Sequence, residues 1–265
     1  MRVLSAYATG IGFLGPGFVD WPSALPVLAG SAPYVALPTV LPVPVVLPPA
    51  ERRRTGRVVK LALAVGLEAT SRAGEDPATL RSVFSSSSGD GDNSHSLCET
   101  LASDRQVSPT KFHNSVHNAA AGYWSIATGA KAASNALCAY DASFAAGLLE
   151  ALTQVIVDQT TVLLVAYDAS YGEPMHAKRP IADALGVALV LAPESNASSI
   201  ARITVAFTDS PADRIEDAQL EALRVSIPAA RSLPLLRQIA RRERGRVTID
   251  YMDGQQLAVE VVPCG

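Results

Sequence analysis

Two runs, TVLLVAY at 161–167 and VALVLA at 187–192, are apolar throughout, with no polar alternation along them. Strands of this kind are buried on both faces, which places them inside a layered α/β domain and not on a one-sided sheet. Directly before the first lies SFAAGLLEALTQVIV (143–157), apolar or small nearly all round until Glu150, which predicts a buried helix. The same reading gives a first strand from Arg2 to Ala8, ended by a turn at Gly10 and Gly12, and a helix from Arg52 to Ala73 that stops before Gly74. Between them, prolines at 33, 38, 42, 44, 48 and 49 forbid a helix and predict an extended surface excursion.

Further elements follow by pattern. A strand is predicted at Leu80–Ser85, a loop over SSSSGDGDNS (85–94), a helix at Ser94–Ser103, and a turn leading into a small-residue helix over 112–126. Asn135–Ala139 reads as a short strand, Ile203–Phe207 as another, and 215–223 and 232–242 as helices. The tail RVTIDYMDGQQLAVEVV alternates around Asp253-Gly254, a hairpin signature.

Composition narrows the function. The chain has 265 residues, 48% hydrophobic, enough for a sizeable core. Its net charge of -3 supplies no basic surplus for a nucleic-acid surface. Three scattered cysteines, Cys98, Cys138 and Cys264, suit reduced thiols and a cytoplasmic location. No run reaches the roughly 20 apolar residues of a membrane span, and the N-terminal stretch lacks the apolar core and A-x-A site of a signal peptide.

Local chemistry is sparse. His95 and Cys98 have metal-like spacing without a second pair, and Asp90, Asp92 and Asn93 lack the Gly and Glu of a calcium loop, so no metal is expected. Gly10-x-Gly12 is followed by FLGPG, whose Pro interrupts the helix a dinucleotide would need, and Ser85–Ser88 form no G-x-S-x-G elbow. No cofactor is expected.

Three stretches carry a resemblance. SPTKFHNSVHNAAAGYWSIATGAKAASNALCAYDASFAAG (108–147) resembles the segment of β-ketoacyl synthases that runs from the dimer-interface loop, through the Asn-x-x-A-G helix, to the active-site elbow. GIGFLGPGFVDWPSALPVLAG (10–30) and LPPAERRRTGRVVKLALAVGLEAT (47–70) resemble the start of the same family. The resemblance implies a thiolase-like layered α/β fold: a synthase N-terminal half over residues 1–195, and a reduced, divergent C-terminal part, 196–265, packed on the same domain. In that register Ala139-Tyr140-Asp141-Ala142-Ser143 takes the place of T-A-C-(A/S)-S, so Asp141 stands at the nucleophile position. The family's second half brings two catalytic histidines, and no histidine follows His176 here. Cys138, three residues before Asp141, is expected to be a small buried hydrophobe on the strand.

The tail motifs SLPLLRQIA and DYMDGQQLAVEV resemble chain-length-factor-like proteins of aryl polyene and xanthomonadin-type type II polyketide synthases. The implied function is a non-catalytic subunit that pairs with an active ketosynthase and shapes its acyl tunnel, with an acyl carrier protein as a possible further partner. By the same register Lys111, Phe112, His113, Ser115, Val116, His117 and Asn118 form the interface and tunnel gate, Phe112 being the bulkiest plug. The alternatives are a synthase-type acyltransferase or decarboxylase acting on carrier-protein thioesters, and a hydrolase or transferase pairing Asp141 with His113 or His117.

Overall fold

The computed structural model describes residues 4–265. In chain order the helices are α1 (Trp21–Ala29), α2 (Pro49–Arg52), α3 (Arg57–Ala73), α4 (Gly91–Ala102), α5 (Pro109–His113), α6 (Ala119–Thr128), α7 (Ser143–Asp158), α8 (Met175–Lys178), α9 (Ala218–Ser226) and α10 (Leu233–Arg241). The strands are β1 (Leu4–Leu14), β2 (Arg81–Ser85), β3 (Ser134–Leu137), β4 (Val162–Asp168), β5 (Leu185–Ala192), β6 (Ala201–Thr208), β7 (Gly245–Met252) and β8 (Gln255–Pro263). They form one mixed sheet in the order β3-β2-β4-β5-β1-β6-β8-β7, in which β2 runs parallel to β3 and β4 and the other pairs are antiparallel.

The all-apolar strands are explained by what covers them. On β4, Leu163 and Val165 enter one core with α3 and α6, while Leu164 and Ala166 enter the other with α7 and the C-terminal elements. β5 divides the same way, with Ala188 and Val190 on the α3 side and Val187, Leu189 and Leu191 on the α7 side. Every residue of β4 and β5 is buried, as the sequence pattern required. Helix α7 buries Phe144, Ala145, Leu148, Ala151, Leu152 and Val155. At roughly 1.5–3 kcal/mol for each large side chain, this layer is a principal source of stability.

The first strand differs from the sequence reading. Arg2 and Val3 lie outside the described residues; from Leu4 the strand continues through Gly10 and Gly12 to Leu14. The glycines mark a close approach and not a turn. A β-carbon on Gly10 would stand 2.1 Å from the carbonyl oxygen of Ala69, and one on Gly12 only 2.0 Å from that of Val65. Helix α3 therefore rests backbone to backbone on β1.

Smaller corrections concern helix starts. The stretch from Arg52 divides at Arg53–Gly56, so that α3 begins at Arg57. It still ends at Gly74, whose φ of 71° is the left-handed cap expected there. The Asp90 side chain accepts from the Asn93 amide and starts α4 at Gly91, inside the predicted loop. α5 already occupies the predicted turn, and α9 lies three residues later than expected. The tail hairpin is present, with Gly254 at φ 73°.

The sheet's two edges are unlike. β7 is closed off by Asp213, whose amide donates to the Thr248 carbonyl at 2.8 Å and whose carboxylate accepts from the Thr248 amide at 2.9 Å. β3 pairs only with β2, and Ser134, Asn135 and Ala136 are exposed.

Replacing Gly12 with Val should destabilise the chain by about 3 kcal/mol or more, because neither backbone can retreat. In a thermal melt this is a fall of roughly 6 °C or more. An unchanged melting temperature would mean that α3 does not rest on β1 at this point.

Candidate functional site at the carboxyl ends of the parallel strands

β2, β3 and β4 run parallel and finish on the same side, where Ser86, Ser87, Cys138 and Asp168 gather. The carboxyl ends of parallel strands are the ordinary place for a site in an α/β sheet. From β3 the chain passes through a tight turn, Tyr140–Ala142, directly into α7. Ser143 builds that turn: its hydroxyl accepts from the Ala139 amide at 3.0 Å and donates to the Tyr140 carbonyl at 2.7 Å. Tyr140 takes a φ of 52°, an unusual conformation for a bulky side chain. In a strand-turn-helix elbow the strained residue presents its side chain at the apex. Here that residue is Tyr140, one position ahead of Asp141.

Asp141 is held by two arginines. Arg179 donates to its Oδ1 at 2.6 Å, and the Arg231 guanidinium stands 3.6 Å from Oδ2. Arg179 also lies 3.8 Å above the centre of the Tyr140 ring and donates to the Ser87 hydroxyl at 3.2 Å. The pairing runs on through Arg231 to Asp250 at 2.8 Å, through Asp250 to Arg224 at 2.5 Å, and through Arg224 to Glu221 at 2.7 Å. Arg224 holds the Glu221 carboxyl down at about 2. A cleft of 580 Å³ opens beside this run, between the elbow and the β7–β8 turn. One strong hydrogen bond from Arg179 and the nearby charge of Arg231 stabilise the Asp141 carboxylate and so lower its nucleophilicity.

Beneath the elbow, Asp168 is fully enclosed. Its Oδ1 accepts from the Ser87 amide at 2.8 Å, the Ser87 hydroxyl at 2.6 Å and the Ser86 hydroxyl at 3.3 Å. Burial pushes its pKa up to about 6, against the opposing pull of the Ser87 bonds and of Arg179. Cys138 corrects the sequence reading. It lies one residue past the end of β3, is exposed, and points its thiol at the Ser87 carbonyl, 3.2 Å away. β3 is the edge strand of the sheet, and among the described residues no further strand lies beyond it to cover the thiol.

The proposed gate residues line α5 and the turn after it. Phe112 is 69% exposed, and Val116 is also exposed. Lys111 bonds the Ser96 hydroxyl, Ser115 donates to the Phe112 carbonyl at 2.8 Å, and Asn118 stands at the start of α6 without a side-chain cap bond. His117 reaches the Ser86 carbonyl at 3.1 Å, and His113 is exposed. Among the described residues, neither histidine bonds Asp141, whose partners are the two arginines. Tyr140, Arg179, Arg231 and Asp168 escaped the sequence reading, since their partners are remote in the chain. No group of His, Cys, Asp and Glu among the described residues could hold a metal ion.

Residues 31–247 match the family described as beta-ketoacyl synthase, N-terminal domain. No curated protein matches the sequence. Solved structures do. A chain from the ketosynthase ApeO in complex with its chain length factor ApeC, from Xenorhabdus doucetiae, superposes with a TM-score of 0.74 at 22% identity, covering 97% of this chain and 99% of that one. A chain of the ishigamide ketosynthase/chain length factor gives 0.72 at 15%, with 98% and 100% covered. One from AntDE:AntF, a type II polyketide synthase acyl-carrier protein in complex with its ketosynthase, gives 0.74 at 11%, with 100% of both chains covered. At these identities the likeness shows the fold, which is the thiolase-like ketosynthase fold anticipated from sequence.

Asp168 makes stability depend on pH. Its folded pKa lies near 6 and its unfolded value near 3.8, so the folded state binds the extra proton and stability from this group is lost as pH rises from about 4 to about 6. The full loss is about 3 kcal/mol. Relative to the native protein, Asp168→Asn should therefore gain stability on going from pH 4.5 to pH 7.5, read by urea unfolding. A difference between the two proteins that does not vary with pH would contradict this account.

Proposed function

Because the chain belongs to the β-ketoacyl synthase N-terminal domain family, we propose that it is a non-catalytic, chain-length-factor-type subunit that completes a heterodimer with an active ketosynthase and shapes its acyl tunnel. The observation that carries this reading is the elbow: in the register proposed from sequence the family's nucleophile position falls on Asp141, a carboxylate paired with Arg179 and Arg231 just after the strained Tyr140. A thiolate at such a helix start attacks thioesters readily, whereas an ion-paired carboxylate forms at best a labile anhydride.

The open β3 edge supports an assembly role. An unpaired edge strand is a template for another chain. Exposed Phe112, Val116, Ile126 and Tyr140, in the segments leading up to β3 and just after it, would supply apolar surface. At the other edge of the sheet, Asp213 occupies the Thr248 backbone of β7 and blunts pairing there. Residues 196–265 are, on this reading, what stands in for the synthase second half, and their tail motifs favour an aryl polyene or xanthomonadin-type pathway in the cytoplasm. An acyl carrier protein would deliver the growing chain to the partner's cysteine. Lys111, His113, Ser115, His117 and Asn118 would frame the interface, with Phe112 closing the end of the tunnel.

Co-expression with ketosynthases from the same genome should yield a stable one-to-one complex, burying more than about 2,000 Å² if it is obligate. Within that complex, Phe112→Ala should lengthen the polyene released at similar turnover. Unchanged product length in an intact complex would remove Phe112 from the gate; failure of every ketosynthase to pair would sink the subunit reading itself.

A further inference from the structure

We propose that the proline-rich strap at 31–48, with the arginines that follow it, docks on the surface of an anionic lipid bilayer. The strap contains no charged residue, and it sets Val35, Leu37, Val40, Val43, Val45 and Val46 outward with 43–76% of each exposed. An apolar display this dense is uncommon on a surface that faces only water.

The strap is held rigidly from behind. The Gly17 amide donates to the Leu37 carbonyl at 2.8 Å, the Thr39 amide to Asp183 at 2.9 Å, and the Thr39 hydroxyl to the Ala184 carbonyl at 2.7 Å. Arg52 turns back onto the carbonyls of Val45 and Leu47, at 2.9 and 3.0 Å. Pro33, Pro38, Pro42, Pro44 and Pro48 carry no amide hydrogen. These prolines lower the number of amide donors, and the carbonyls of Leu37, Val45 and Leu47 are already bonded, which reduces the cost of entering a water-poor interface.

Charge selects the kind of surface. Residues 49–60 hold five cations, Arg52, Arg53, Arg54, Arg57 and Lys60, against the single carboxylate of Glu51, although the whole chain carries -3. Arg53 and Arg54 are exposed, and Arg53 has no ion pair among the described residues. A groove of 330 Å³ runs between the strap and α3, floored by Leu63 and Leu67; Lys60 and Arg72 line it together with Asp20 and Glu68, and Glu68 pairs with Arg72 at 3.0 Å, so the positive charge comes from the arginines after the strap. Apolar side chains beside a cluster of arginines are the chemistry of a peripheral membrane contact, in which acyl chains take the valines and acidic headgroups take the guanidiniums. No helix among the described residues is long and apolar enough to cross a membrane, so the contact is made from the surface.

Flotation of the purified full chain with vesicles tests this directly. The chain should rise with phosphatidylglycerol-containing vesicles and stay behind with pure phosphatidylcholine. Val40→Asp/Val43→Asp/Val45→Asp should weaken binding about tenfold or more, and Arg53→Gln/Arg54→Gln about fivefold per arginine. These side chains are exposed, so both variants should melt with the native protein. Absence of flotation, or flotation indifferent to the valine changes, would overturn the proposal. If a purified acidic carrier protein binds in its place, through the arginines but not the valines, the face belongs to that partner.

Discussion

A run of six alternating charges, Glu221, Arg224, Asp250, Arg231, Asp141 and Arg179, connects α9, the turn before α10, β7, the elbow and the loop after α8. Its interior members are costly to bury unpaired; the Arg224 side chain is only 7% exposed and is satisfied on both sides by carboxylates. Because Asp141 and Asp250 each serve two arginines, the elbow cannot change its geometry without disturbing the C-terminal hairpin. The arrangement joins elements that the sheet alone leaves far apart, and it makes the carboxylate at the elbow part of the frame.

That frame accounts for both halves of the functional reading. At the elbow, the Asp141 carboxylate is ion-paired with Arg179, and the strained Tyr140 at the apex lies under the same guanidinium, an arrangement in keeping with the proposed loss of chemistry there. The proposed assembly surface lies at the opposite end of the same short segment, where β3 is an edge strand with Ser134, Asn135 and Ala136 exposed. Ser87 links the two regions, since it binds Asp168, Arg179 and Cys138 at once.

The layers were legible in sequence wherever burial on both faces left an unbroken apolar run, as in β4, β5 and α7. The tail hairpin was equally plain, because Asp253-Gly254 suits only a few turn geometries. Gly10 and Gly12 misled for a physical reason: the same absence of a β-carbon serves a turn and a close helix contact, and only the position of Val65 and Ala69 tells them apart. Cys138 misled because a small apolar residue at the end of a strand is buried in most sheets, though not just past the end of an edge strand. The ionic run was illegible, since Asp141 meets Arg179 and Arg231 from 38 and 90 residues away and no local pattern encodes either pairing.

The proposal that the elbow transfers no acyl group is tested most directly by intact-mass measurement after incubation with an acyl-carrier-protein thioester. The native chain should keep its mass under conditions that acylate an active ketosynthase. A stable acyl adduct mapped to Asp141 or to the exposed Cys138 would contradict it and make this chain an acyl-transferring enzyme.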